Sequence, residues 1–176
     1  MYLQKHALAL LVTGFCASLT SQAQTPAVPN PLDVVPDNMP FDVPYGAPIS
    51  LDRAQGAILA AIAEAKKHHW KINIAVVDSG TNLVAFQRMD GAQLASIAVS
   101  QHKARAAASF RRPTKEYEDG MQLKQLYFML SIDGVVASRG GIPLIEGGKL
   151  IGAIGCSGGT SSQDEVACKA GAATVK

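Results

Sequence analysis

The sequence has few charges, few aromatic residues and none of the cysteine patterns of metal-binding modules. Only 17% of its 176 residues are charged, and the formal net charge is +2. A nucleic-acid-binding domain normally carries a concentrated basic face, which this near-balance does not supply. The three cysteines form neither a Cys-x-x-Cys pair nor another zinc-type spacing. The composition therefore argues against nucleic acid as the main partner and against a cysteine-based zinc site.

The sequence also lacks an apolar run of the roughly 20 residues that a membrane-spanning helix needs. The longest candidate, residues 7–19, follows a weakly basic start at Lys5 and precedes the small residues Ser21 and Ala23. This arrangement is typical of a secretory signal peptide, residues 1–23, cleaved after Ala23. We expect a mature protein without a membrane span, located in the periplasm or secreted.

Proline is concentrated in one segment. Residues 24–48 contain seven of the nine prolines, which excludes a helix there and predicts an extended arm. Phe41, Val43 and Tyr45 would anchor the second half of the arm to the rest of the protein, and a free tether is the alternative. Residues 49–176 have the length of one ordinary domain.

The apolar pattern alternates between helical and strand periods. Ser50 is a good N-cap before a helix-period run, residues 72–77 and 83–87 predict a hairpin, and a Gly147-Gly148 reversal predicts a second hairpin. A short strand is expected at 135–137, and a final helix from about Gln163 with a Ser162–Glu165 capping box. The fold class is α+β, with one antiparallel sheet of about five strands and helices packed on it.

A glycine-rich bend between the second hairpin and the last helix is the strongest candidate for a pocket wall. It combines Gly140 and Gly141 with Ser157, Gly158 and Gly159. The Gly-x-Ser-x-Gly string resembles a nucleophile elbow, but no histidine follows Ser157 in the chain, which argues against a serine hydrolase. An anion held by the following helix N-terminus is the alternative, although negative side chains already lie in that first turn.

Charged residues at predicted element ends suggest a cleft. Arg88, Asp90, Lys103 and Asp164 would meet there and bind a carboxylate, and a surface ion-pair cluster is the other interpretation. His68 and His69 lie at a predicted helix end, where one of them would serve as a haem-iron ligand or both would face solvent. Cys156 and Cys168 form a disulfide or remain two buried thiols; the sequence leaves both open.

Several strings together resemble the GlcG/HbpS-like group of small haem-binding proteins, often labelled haem-degrading, which also forms the C-terminal domain of PduO-type proteins. The similarity covers about residue 50 to the C-terminus and is carried, in order, by residues 74–80, 86–92, 98–107, 112–114, 140–143 and 151–160 with Gln163-Asp164. The resemblance implies a layered fold like that of profilin or PAS domains. It also implies dimers that build higher homo-oligomers, commonly octamers.

The resemblance favours haem as the ligand of an exported, oligomeric binding protein with a haem, iron or redox role. His68 or His69 would bind the iron, and Arg88 or Lys103 would meet the propionates. One alternative is an enzyme acting on a small carboxylate or carbonyl compound, with Asp164 as general acid/base and with Lys103, together with Arg88, as an electrostatic anchor at the catalytic site. A second alternative is an accessory or assembly subunit whose arm clasps a partner.

Overall fold

The computed structural model describes residues 30–176. It contains four α-helices, four β-strands and two short 3₁₀ turns within that range. The helices are α1 (Leu51–Lys67), α2 (Ala95–Ser109), α3 (Lys115–Lys124) and α4 (Ser161–Ala172); the strands are β1 (Asn73–Asp78), β2 (Leu83–Arg88), β3 (Gly141–Glu146) and β4 (Lys149–Ser157); the 3₁₀ turns are Pro31–Asp33 and Tyr127–Ser131. The predicted signal peptide, residues 1–23, lies outside the described residues.

Two hairpins join side by side to form the sheet. The strand order is β2-β1-β4-β3, and all pairs are antiparallel. Gly147 and Gly148 reverse the second hairpin with φ values of 55° and 75°, as a two-residue turn of the mirror-image type requires. The α+β class with an antiparallel sheet is thereby confirmed.

The sheet of the described residues has four strands, not about five. The segment 135–137, expected to form a short strand, is an irregular loop without ladder pairing. Its neighbour Ser138 offers its carbonyl oxygen to the Thr114 hydroxyl, at 2.8 Å, instead of to a strand. The loop is therefore tied to the start of α3 and not to the free edge of β3.

The two faces of the sheet are covered differently. Helices α1 and α4 pack on one face over an aliphatic core that includes Ile58, Ile74 and Ile154. Helix α2 packs on the other face through alanines, and it lies so close that a Cβ added to Gly155 would stand 2.0 Å from the Ser100 carbonyl oxygen. Because glycine and alanine take little space, the α2 backbone rests almost directly on β4.

A disulfide fastens one of these helices to the sheet. Cys156 of β4 and Cys168 of α4 are bridged, with Cα atoms 5.7 Å apart and no exposed surface on either residue. This resolves the open question from the sequence. The bond holds α4 against the strand that leads into the glycine-rich bend.

The last part of the proline-rich arm lies on the domain. Leu150 of β4 donates its N–H to the Pro44 carbonyl oxygen at 2.8 Å, and its own carbonyl oxygen accepts from Gly46 at 2.7 Å. Tyr45 donates its hydroxyl to the Ser109 carbonyl oxygen at 2.7 Å. The Phe41 ring stacks under the Arg112 guanidinium, 3.5 Å from its centroid. These contacts fit the anchoring expected for Phe41 and Tyr45.

Candidate functional site

A pocket with a charged rim lies where the end of α1 meets the end of β2. Its volume is about 440 Å³. Its walls combine apolar surface, three cationic side chains, one carboxylate and one imidazole. The lining residues are Ile62, Lys66, His69, Trp70, Lys71, Arg88, Met89 and Asp90. We call this cavity the α1–β2 pocket.

Backbone hydrogen bonds hold the two walls of the α1–β2 pocket in place. The C-terminal turn of α1 closes when Trp70 donates its N–H to the Ala65 carbonyl oxygen at 3.0 Å. His69 takes a left-handed backbone conformation, φ 57°, which ends the helix. Just after β2, Met89 donates its N–H to the carbonyl oxygen of Ile72, the residue before β1, at 3.1 Å. The helix end and the strand end are therefore both fixed to the start of β1.

The structure distinguishes the two adjacent histidines. The His68 ring stacks on Trp70 with centroids 4.4 Å apart, and its Nε2 lies 3.4 Å from a Glu64 carboxylate oxygen. His69 instead lines the α1–β2 pocket. The two neighbouring side chains lie in different environments because His68 caps α1 and His69, with φ 57°, turns left-handed after it. Only His69 is placed to meet a molecule in this pocket.

The rim of the pocket attracts anions. Lys66, Lys71 and Arg88 provide three positive charges against the single carboxylate of Asp90, and all four residues are exposed. Exposed cations keep their donors available, and arginine presents a planar fork that matches a carboxylate. The predicted ligand residues Arg88 and Asp90 therefore lie together at this rim.

Lys103 and Asp164, which the sequence placed in the same cleft as Arg88, form a separate buried ion pair. Lys103 Nζ lies 2.9 Å from Asp164 Oδ2, and the two side chains are 1% and 3% exposed. The second Asp164 oxygen accepts the Gly159 N–H at 3.0 Å. Burial raises the pKa of the Asp164 carboxyl, and the ammonium of Lys103 acts in the opposite direction. The pair is satisfied internally and is not open to a substrate.

The glycine-rich bend is filled by neighbouring backbone. A Cβ added to Gly158, whose φ is 155°, would stand 2.4 Å from the Lys71 carbonyl oxygen. One added to Gly140 would stand 3.2 Å from Lys103 Nζ and 2.9 Å from the Asp164 Cβ. Ser157 is 6% exposed. Gly158 therefore permits close packing behind the α1–β2 pocket, and Gly140 lies against the buried pair.

The N–H groups at the start of α4 already have hydrogen-bond partners within the chain. Thr160 and Gln163 form a reciprocal capping box there, displaced by two residues from the expected Ser162–Glu165 pair. Gly140 and Gly141 do border a second, narrower cavity of about 250 Å³, together with Lys115, Glu165 and Lys169. The carboxylate of Glu165 faces that cavity and is bonded to Lys169 at 2.7 Å. An anion at this helix start would have to compete with that carboxylate.

Five residues of the α1–β2 pocket were absent from the sequence-based candidates: Ile62, Lys66, Trp70, Lys71 and Met89. One signal was available. A hairpin returns β2 to the level where β1 began, so the residues just after α1 and just after β2 must be neighbours. That argument would have grouped Trp70 and Lys71 with Arg88.

The residues from the N-cap of α1 to the end of α4 match one family model. Residues 49–173 fit the family described as haem degrading protein HbpS-like. The chain belongs to the HbpS-like family. A curated relative, Protein GlcG of Escherichia coli strain K12, is 39% identical over 109 residues, which are 62% of this chain and 81% of GlcG.

Solved structures of the HbpS-like family share the fold. The crystal structure of HbpS has a TM-score of 0.69 at 28% identity and covers 79% of this chain and 98% of HbpS. The crystal structure of a PduOC:heme complex has a TM-score of 0.66 at 26% identity and covers 74% of this chain and 96% of PduOC. Within residues 30–176 of this family member, no helix has the length and apolar character to span a membrane.

Proposed function

We propose that this protein binds haem in the α1–β2 pocket. The observation that carries the proposal is that His69 and Arg88, an iron ligand type and a propionate partner type, line the same cavity. The crystal structure of the PduOC:heme complex shares this fold at 26% identity. That likeness supports haem over other anionic ligands of similar size.

The chemistry of the pocket fits haem. Ile62 and Trp70 offer apolar and aromatic surface for the porphyrin face, and the cations at the rim offer partners for two propionates. Lys103, considered for this role from the sequence, is replaced in the proposal by Lys66 and Lys71, because it is buried against Asp164. Bound haem would supply a redox-active iron; the chain would bind it, orient it and limit the access of water.

The test is a titration of purified protein with ferric haem, followed by its Soret absorption. We expect a shifted, saturable Soret band in the wild type. His69→Gly should lose it, because glycine accepts the left-handed backbone of this position but offers no imidazole. Free imidazole added to His69→Gly should restore the band.

His68→Gly is the matched control for that substitution. Its side chain does not line the pocket, although it stacks on the lining residue Trp70, so its haem affinity should fall much less than that of His69→Gly. A spectrum that stays that of free haem in the wild type, or equal losses in both variants, would rule out the proposed ligand.

We also propose that the protein works outside the cytoplasm. The buried Cys156–Cys168 disulfide supports this, because such bonds persist mainly in oxidising compartments. The signal-like pattern of residues 1–23 supports it further. Mass spectrometry of the protein from its native host should find a chain that begins at Gln24 in the exported fraction. A full-length, reduced protein in the cytoplasm would refute the proposal.

We propose that the protein self-associates into dimers or larger assemblies, up to octamers. The exposed apolar side chains around α3 would form the interface. Leu123 and Leu130 are 76% and 65% exposed, close in sequence to the exposed Tyr127 and Phe128. Contiguous apolar surface of this kind commonly marks protein interfaces. Light scattering should show an oligomer that Leu130→Lys weakens and Leu59→Lys, at an exposed position of α1, leaves intact. A monomeric wild type would exclude it.

A further inference from the structure

Trp70 is the only tryptophan of the sequence, and it lies in the wall of the α1–β2 pocket. Its backbone is fixed just after α1, where its N–H donates to the Ala65 carbonyl oxygen at 3.0 Å. An indole offers a large, flat and mostly apolar surface. The pocket therefore has an aromatic wall that suits a flat ligand.

Side chains that do not line the pocket hold this indole in place. The His68 ring is stacked on Trp70, with centroids 4.4 Å apart and an angle of 18° between the ring planes. His68 Nε2 lies 3.4 Å from one Glu64 carboxylate oxygen, and Lys67 Nζ lies 2.6 Å from the other. Because these contacts order the indole before a ligand arrives, binding loses less side-chain entropy.

The rim of the pocket adds a requirement for negative charge. Lys66, Lys71 and Arg88 outnumber the single carboxylate of Asp90, and all four residues are exposed. An aliphatic dicarboxylate would meet the cations but leave the indole without a partner, and a neutral aromatic compound would do the reverse. A flat aromatic ring that carries carboxylates satisfies both features, and neither feature requires a metal.

We propose that the α1–β2 pocket recognises the anionic porphyrin ring itself and therefore also binds iron-free porphyrins. Trp70 is the residue that selects the ring, and His68 and Glu64 are positioning residues that act through it. The inference rests on the proposed function for the choice of ring system, and it extends the ligand class beyond haem. His69 then adds affinity only when the ring contains iron.

The test is a titration with protoporphyrin IX, which has the ring and both propionates of haem but no iron. Emission from Trp70, the sole tryptophan, should be quenched saturably in the wild type. Trp70→Leu keeps an apolar side chain but removes the aromatic surface, so porphyrin affinity, followed by porphyrin emission, should fall about fivefold. Adipate, which has two carboxylates and no ring, should not displace the porphyrin at equal concentration; displacement would mean that the charges alone select the ligand and would overturn the inference.

Two variants of His68 test the positioning role. His68→Ala should lower porphyrin affinity about threefold and make Trp70 emission more accessible to acrylamide, because the indole loses its stacked neighbour. His68→Phe should restore both values, since a phenyl ring stacks on an indole as an imidazole does. If His68→Ala matched the wild type in both measurements, the role assigned to His68 would be wrong.

His69→Gly separates this inference from the proposed function. It should lose affinity for haem but keep its affinity for protoporphyrin IX, because only haem offers iron to an imidazole. A wild type that binds haem but not protoporphyrin IX would overturn the inference and leave the proposed function standing, as would unchanged porphyrin affinity in Trp70→Leu. Porphyrin binding together with haem binding that His69→Gly does not weaken would support the inference and refute the proposed iron ligand.

Discussion

Two polar regions of this molecule look similar in the sequence and are opposite in the structure. The buried region around Lys103, Asp164 and the glycine-rich bend pairs its charges internally and fills its space with backbone. The α1–β2 pocket leaves Arg88 and Lys71 exposed at the rim of a cavity. A charged residue at the end of a helix or strand is therefore a candidate for ligand binding only when no oppositely charged side chain of the folded protein pairs with it.

The largest loss of stability is expected when the buried ion pair is broken. Asp164→Asn would leave the Lys103 ammonium buried without a counter-charge, which costs about 3–5 kcal/mol in the free energy of unfolding. Urea denaturation monitored by circular dichroism measures this loss. The double variant Lys103→Met/Asp164→Leu should recover part of it, because an apolar pair needs no charge compensation, while the Gly159 N–H still loses its acceptor.

An exposed ion pair supplies the control for that experiment. Lys67 and Glu64 approach to 2.6 Å, but the Lys67 side chain is 68% exposed. Lys67→Gln should change the free energy of unfolding by less than about 1 kcal/mol. If Asp164→Asn were no more destabilising than Lys67→Gln, the description of the first region as internally satisfied would fail.

A smaller effect is expected at the glycines. Gly158→Ala forces a methyl group to within 2.4 Å of the Lys71 carbonyl oxygen, and overpacking of this kind costs about 1–3 kcal/mol in unfolding free energy. Gly147→Ala also has a positive φ but meets no atom within 4 Å, so it bears only the backbone strain of about 1 kcal/mol. Thermal unfolding of the two variants separates packing from strain, and equal destabilisation would mean that the bend is open after all.

The smallest effect concerns the pocket rim. Arg88→Gln removes one cation of three, and we expect haem affinity to fall about fivefold, corresponding to about 1 kcal/mol. The unfolding free energy should stay within about 0.5 kcal/mol of the wild type, because the residue is exposed. Arg105→Gln, an exposed arginine of α2, is the matched control. Equal affinity losses in both variants would point to a general electrostatic effect and not to a propionate contact at Arg88.

The sequence predicted helices and hairpins well where they depend on residues close together in the chain. The Gly147-Gly148 reversal and the helix after Ser50 are both present. The last helix begins at Ser161, two residues before the expected start, and its capping box is formed by Thr160 and Gln163. Helix α3 ends at Lys124, where Gln125 turns left-handed with φ 55°.

The candidate site was predicted less completely. His69, Arg88 and Asp90 were each named from the sequence, and the structure collects them in one cavity with Trp70 and Lys71. Lys103 and Asp164 were grouped with them because they are charged and lie near element ends. Nothing in the local sequence shows that these two residues, separated by 61 positions, find each other inside the protein.

The sequence by itself determined the types of the elements, the turn chemistry of the hairpins and the chemical inventory of the site, because these depend on neighbours within a few residues. Only the tertiary structure decided that Cys156 and Cys168 pair, that the glycines serve packing, and that His69 and not His68 enters the pocket. Whether a polar group is satisfied or available depends on partners far along the chain, and folding alone brings those partners together.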